Sequence, residues 1–199
     1  MEEADREKKK LGFIKFSLPD DYDPEGYVKV EVGLPNIEMM MIGEKKHGYE
    51  IVAVWESEIE SGRSWYTDSN GLELIERDWV KGQKNQDIPA NYYPITAMIG
   101  VKDSNAAMFV LNDRAQGGTS SKPGRVELNI VRKTVGADMG GMVQGPDFKG
   151  ELHVEFFMHF EWRKSGKELP EISEMFSKLL RKSSEIASPL QLFKHQGNY

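Results

Sequence analysis

The chain has 199 residues, 39% of them apolar, which places it among globular rather than disordered proteins. It contains no cysteine, so disulfides, Cys-based zinc or iron–sulfur centres and a thiol nucleophile are excluded together. Its 26 basic against 32 acidic residues give a net charge of −6, a poor match to a nucleic acid, and no window approaches the roughly 18 apolar residues of a membrane span.

Met1–Lys10 (MEEADREKKK) balances acids against bases with almost nothing apolar, and is expected to be a mobile end rather than a signal peptide. Residues 11–199 show no internal repeat and no Pro-, Gly- or Ser-rich linker, so one domain is expected over that span. Tyr27–Val32 alternates Val28, Val30 and Val32 with Tyr27, Lys29 and Glu31, the pattern of a half-buried strand. Tyr49–Ile59 alternates in the same way. Further strands are predicted at Leu72–Arg77, Pro94–Lys102, Ala106–Asn112, Arg125–Arg132 and Glu151–Trp162. Turn chemistry separates them at Asp20–Pro24, Ser69–Gly71, Lys102–Asn105 and Lys122–Gly124, and the Lys102–Asn105 turn reads as a hairpin.

One segment reads as a helix. Across residues 170–182 a Pro at the first turn is followed by acids, where the helix dipole favours them. Ile172, Met175, Phe176, Leu179 and Leu180 fall on one face, and Lys178, Arg181 and Lys182 close the run. Seven or eight short strands with frequent turns argue for an all-β fold: an antiparallel β-sandwich with one C-terminal helix packed on it.

The residues alone support little chemistry. His47, His153, His159 and His195 form neither a helical pair nor a cluster with carboxylates. His153 and His159 share parity in one strand but would lie about 20 Å apart, too far for one metal. No metal site is expected. Ser57, Ser61 and Ser64 have no candidate base beside them. Trp55, Trp65, Tyr66, Tyr92 and Tyr93 suit either a sugar-stacking platform or sandwich packing, and packing is the better-supported use. Gly117-Gly118 and Gly140-Gly141 would permit tight turns or close backbone approach.

Three stretches are more specific. Trp65–Glu73 (WYTDSNGLE), Ala90–Met98 (ANYYPITAM) and Asn112–Ser120 (NDRAQGGTS) resemble, in this order and spacing, the second half of glycoside hydrolase family 38 α-mannosidases. Gly124–Leu128 followed by the basic pair Arg132-Lys133 resembles a fourth element, and the resemblance is densest over about residues 64–138. The fold it implies is the galactose-mutarotase-like β-sandwich of the family's C-terminal region. The activity it implies is retaining hydrolysis of terminal α-linked mannose from oligosaccharides. Two carboxyl groups about 5 Å apart would do that chemistry, beside a zinc that acts as Lewis acid and positions sugar hydroxyls. Zinc, nucleophile and acid/base are implied to lie in an N-terminal catalytic domain, the expected partner, so no catalytic residue is expected here.

By the same resemblance Tyr66 reaches the bound mannose and its nucleophile, while Asp68, Asn70 and Gly71 hold the turn that aims it. Asp68, Asn70 and Arg114 are weaker substrate-binding candidates. Asp113, Arg114, Gln116, Gly117 and Gly118 are expected to build a tight structural loop. Where the family continues with an arginine-containing acidic stretch, this chain has Ala137–Met142 (ADMGGM), and Lys133 stands in place of a second arginine. Absence of cysteine and of an N-x-[ST] sequon leans towards a cytoplasmic protein. The competing expectations are a stand-alone carbohydrate-binding or scaffolding β-sandwich and, further off, a protein-interaction module.

Overall fold

The computed structural model describes residues 28–34, 49–68, 70–82, 90–133, 152–164 and 167–187. The Met1–Lys10 segment, the Asp20–Pro24 turn, His47, His195, Ser69 and residues 137–142 lie outside the described residues. Along the chain run β1 (Val28–Leu34), β2 (Tyr49–Glu56), β3 (Ser64–Asp68), β4 (Leu74–Asp78), β5 (Tyr93–Ile95), β6 (Met98–Lys102), β7 (Ala106–Asn112), β8 (Gln116–Thr119), β9 (Arg125–Lys133), β10 (Leu152–Trp162) and α1 (Ile172–Ala187).

Among the described residues, two antiparallel sheets and the helix α1 stack in three layers. The larger sheet has six strands in the order β1-β10-β7-β6-β3-β4, and the smaller has four in the order β2-β9-β8-β5. Between the sheets lies one apolar core that includes Trp55, Trp65, Ile99, Val101, Met108, Val110, Val126, Leu128 and Phe156. A second core fills the space between the larger sheet and α1, with Met98, Phe109 and Leu111 against Met175, Phe176 and Leu179. Each such side chain contributes about 1.5–3 kcal/mol on leaving water. The predicted sandwich with one packed C-terminal helix is therefore the observed fold.

The structure departs from the sequence expectation at several elements, β2 ending at Glu56 rather than Ile59 and β4 spanning Leu74–Asp78 rather than Leu72–Arg77. The single strand expected over Pro94–Lys102 is two strands, β5 in the smaller sheet and β6 in the larger, joined by a corner at Thr96-Ala97. Two strands were not expected: β3, which pairs with both β4 and β6, and β8, which was read as a loop but lies between β5 and β9. The helix runs to Ala187 rather than to residue 182. The Lys102–Asn105 hairpin is present, with Asp103 Oδ1 accepting from the amides of Asn105 (2.6 Å) and Ala106 (2.8 Å).

Candidate functional site

Strand alternation sorts the side chains of β3. Trp65 and Thr67 face the smaller sheet and are 1% and 0% exposed, whereas Ser64, Tyr66 and Asp68 face the other way. The Tyr66 ring is packed at the edge of the helix-side core, its centroid 6.4 Å from that of Phe109. Gly100, paired with both Tyr66 and Phe109, leaves the room the Phe109 ring occupies; a Cβ on residue 100 would overlap that ring.

Tyr66 and Ser64 open on a cleft of about 430 Å³ that Glu60, Ser61, Glu76, Lys102, Asp103, Ser104 and Asn105 also line. Glu76 stands directly opposite Tyr66 in the β3–β4 register. Burial, then the Glu76 carboxylate, then Asp78, push the phenol above its ordinary value, so it carries its proton throughout the neutral range. Ser64 donates to Asp78 Oδ1 (3.1 Å) on the neighbouring rung. Asp103 Oδ2 accepts from the amide of Glu60 (2.9 Å), closing the far wall of the cleft. The opening is polar, with one ring fixed on an apolar base and several acceptors around it. Sequence reasoning misses Glu60, Glu76, Lys102 and Asp103, because nothing in the sequence shows that β3 pairs with the expected Leu72–Arg77 strand and with β6.

The other candidates lie at the opposite end of β3 from Ser64. Asp68 is 2% exposed, and its Oδ1 accepts from the amides of Thr96 (2.9 Å), Ala97 (3.0 Å) and Met98 (3.1 Å), while Oδ2 accepts from Gly71 (3.1 Å). Asn70 and Gly71 sit at φ 53° and 71°, the left-handed conformation that Asn and Gly tolerate best. Asn112 clamps the same corner from the other side: its Nδ2 donates to the carbonyls of Ile95 (3.3 Å) and Thr96 (3.3 Å), and to that of Arg114. The Arg114 guanidinium bonds both Asp113 oxygens (2.8 and 2.7 Å) and the His153 carbonyl (2.7 Å). Arg114 does not line the Tyr66 cleft. For Asp113, burial acts to raise the carboxyl, but Arg114 and the Glu155 amide outweigh it and hold the group below the ordinary carboxylate range.

The remaining motif residues serve packing. Asn91 bonds the amide and carbonyl of Val80 (2.8 and 2.7 Å), as a strand would. Gly117 accommodates the Tyr92 ring, and Gly118 the side chains of Ile95 and Leu128. Trp55 meets Phe156 edge-on at 4.7 Å, Trp65 meets Tyr93 at 5.5 Å, and the Arg77 guanidinium covers the Tyr93 ring at 4.2 Å. Ser57 and Ser61 bond the carbonyl and amide of Gly124.

A zinc finds no set of ligands among these side chains. No group of three or more His, Asp, Glu or Cys that could hold a metal occurs among the described residues. His159 is buried beside Glu161 (3.2 Å), whereas His153 lies exposed at the start of the same strand.

Comparison with known proteins places this architecture. Residues 26–139 match the model of the glycosyl hydrolases family 38 C-terminal domain. The chain is similar to the lysosomal alpha-mannosidase of Felis catus, 36% identical over 101 residues that make up 48% of this chain and 10% of the relative. It is also similar to a probable alpha-mannosidase of Arabidopsis thaliana, 36% identical over 129 residues, 62% of this chain and 12% of that one. The chain thus spans about a tenth of the length of these relatives. The crystal structure of an alpha-mannosidase from Enterococcus faecalis V583 superposes with a TM-score of 0.53 over 70% of this chain and 15% of that one; at 17% identity this likeness concerns the fold alone. With the matched segment running from β1 past the end of β9, the chain belongs to the glycosyl hydrolase family 38 C-terminal domain family.

Proposed function

We propose that the chain is the β-sandwich portion of a retaining α-mannosidase acting on terminal α-linked mannose of oligosaccharides. In this reading it completes an active site whose zinc and carboxylates are carried by a catalytic domain. Tyr66 is its contribution: a protonated phenol whose hydroxyl hydrogen-bonds a sugar hydroxyl or a carboxylic acid of the active site. The observation that carries this assignment is the contrast within β3. Asp68 spends both oxygens on backbone amides, while Tyr66 packs its ring beside Phe109 and lines an open polar cleft. A stand-alone sugar-stacking surface draws less support, because Trp55 and Trp65 are buried and Tyr92 and Tyr93 pack against Gly117, Trp65 and Arg77.

The test is hydrolysis of an aryl α-mannoside, with zinc content measured on the same samples, for the chain alone and for the chain joined to a family 38 catalytic domain. Turnover is expected only in the joined protein, and Tyr66→Phe there should lower kcat about tenfold, the worth of one hydrogen bond. Turnover with stoichiometric zinc in the chain alone would relocate the catalytic groups into it and overturn the reading.

A further inference from the structure

A phenol at a binding site has one proton to give and lone pairs to offer, so its usefulness depends on which way the hydroxyl is turned. Around Tyr66 the possible acceptors are not equivalent. Asp103 is committed to the amides of Asn105, Ala106 and Glu60, which fix the hairpin turn and the cleft wall. Asp78 receives the Ser64 hydroxyl. Glu76 occupies the cross-strand position facing Tyr66 itself, lines the same cleft, and sits on β4, the edge strand of the larger sheet. On the other side the Phe109 ring, in the room that Gly100 leaves, packs beside that of Tyr66. The phenol is raised by burial and by Glu76, the direction expected when the carboxylate interacts with the protonated hydroxyl and opposes its loss.

We propose that Glu76 is a positioning residue for Tyr66: by accepting the phenol proton it turns the hydroxyl's lone pairs into the cleft, so that Tyr66 meets its ligand as a hydrogen-bond acceptor. The ligand group it suits is a donor, either a sugar hydroxyl or a protonated carboxylic acid. This rests on the reading that Tyr66 touches substrate. Glu76 touches nothing that reacts; it acts only through Tyr66. No covalent step is involved.

The hydroxyl's orientation is readable at neutral pH from the tyrosine Raman doublet, whose intensity ratio separates a donating from an accepting phenol. Subtracting the spectrum of Tyr66→Phe isolates Tyr66 from the other tyrosines. In the chain as it stands Tyr66 should show the donor signature. Glu76→Gln keeps an acceptor oxygen without the charge and should retain it; Glu76→Leu has similar bulk and no acceptor and should lose it. A purely space-filling role would be met by Leu as well as by Gln. In the joined mannosidase, Glu76→Leu should lower kcat by nearly as much as Tyr66→Phe, Glu76→Gln should recover most of it, and KM should change less than kcat.

A doublet unchanged in Glu76→Leu overturns the positioning role and leaves the Tyr66 reading standing. A doublet that changes while Tyr66→Phe leaves hydrolysis unaltered overturns the Tyr66 reading, and the positioning role falls with it. A changed doublet with slow Tyr66→Phe and unaffected Glu76→Leu kinetics overturns the positioning role alone. Matching thermal melts for all variants establish that the fold is intact.

Discussion

Single residues explain why three separated motifs share one region of the fold. Asp68, Asn112 and the segment Ile95–Met98 come from the three most specific stretches of the sequence, and they meet at the corner where the chain leaves the smaller sheet for the larger. A corner between sheets exposes backbone amides that no ladder can satisfy, and burying them unpaired costs about 1–3 kcal/mol each. Asp68 answers three of them with one oxygen and Gly71 with the other. Asp68→Ala should therefore destabilise by about 3–4 kcal/mol, a fall in Tm of about 10 °C for a chain of this size. Asp68→Asn keeps one acceptor oxygen but turns an amide towards the Gly71 N–H, and should fall between the two. Thermal unfolding by circular dichroism checks both; a melt of Asp68→Ala within about 2 °C of the parent would remove Asp68 from the corner's support. The motif was legible in the sequence, but its task was not. The spacing of Asp68 from Thr96 says nothing of contact until the break in the Pro94–Lys102 strand is known.

At the scale of elements, the sequence was readable where one face of a strand meets water and the other a core. Leu152–Trp162 and Arg125–Lys133 differ by only a residue from the segments predicted by alternation. β6 and β7 carry unbroken runs of buried residues, because the second sheet covers one face and α1 the other. Such runs give a strand without saying which face is which. β8 was hidden by Gly117-Gly118, residues that ordinarily argue against a strand; here they make room for Tyr92 and Ile95. The last turns of α1 were hidden by Ser183, a buried polar residue at the position where the apolar stripe should continue before Ile186 resumes it. The Lys102–Asn105 hairpin was read correctly because its chemistry is local. Asp103 holds two amides of its own turn, and burial, which would raise its carboxyl, is outweighed by these bonds and that from Glu60, so the group lies below its ordinary 3.8. A depressed carboxyl contributes stability that is present above the unfolded value and lost as pH falls through the folded one. Asp103→Asn should thus lower Tm by about 2–4 °C at pH 6, and the gap should close as the pH is taken below about 3.8. A gap of constant size from pH 6 to pH 2.5 would mean that the charge of Asp103 plays no part in the hairpin.

For the molecule as a whole, the two apolar cores are unequal in what closes them. The core between the sheets is framed by ladders on both sides, whereas the second depends on the helix α1 lying over the larger sheet, against β4 and β7. That helix is tied by Met175, Phe176 and Leu179 and by Lys178, whose ammonium lies 3.1 Å from Glu161 on β10. Residues 172–187 form 16 residues of helix, a length only marginally stable alone in water, so its order depends on the face it buries. Opening should therefore proceed in order: the helix detaches at lower cost than the sheets separate. In native-state hydrogen exchange the amides of β6 and β7, covered on both faces, should be the slowest, and those of α1 should exchange through a smaller opening free energy. Leu179→Ala, which removes a fully buried side chain from the second core, should cost about 2–5 kcal/mol. Its signature is selectivity: faster exchange in α1, and exposure of the apolar face formed by Met98, Phe109 and Leu111 seen as dye binding. Exchange across the β2–β9 ladder should change only when opening is global. Uniform acceleration of every amide by Leu179→Ala would instead mean that the two cores fail together, making the helix an integral part of the sandwich. Because Tyr66 packs on the same Phe109 that the helix-side core encloses, sub-global opening would also loosen the ring at the cleft. Leu179→Ala should then broaden the Tyr66 ring resonances before any change in Trp55, which sits in the core between the sheets.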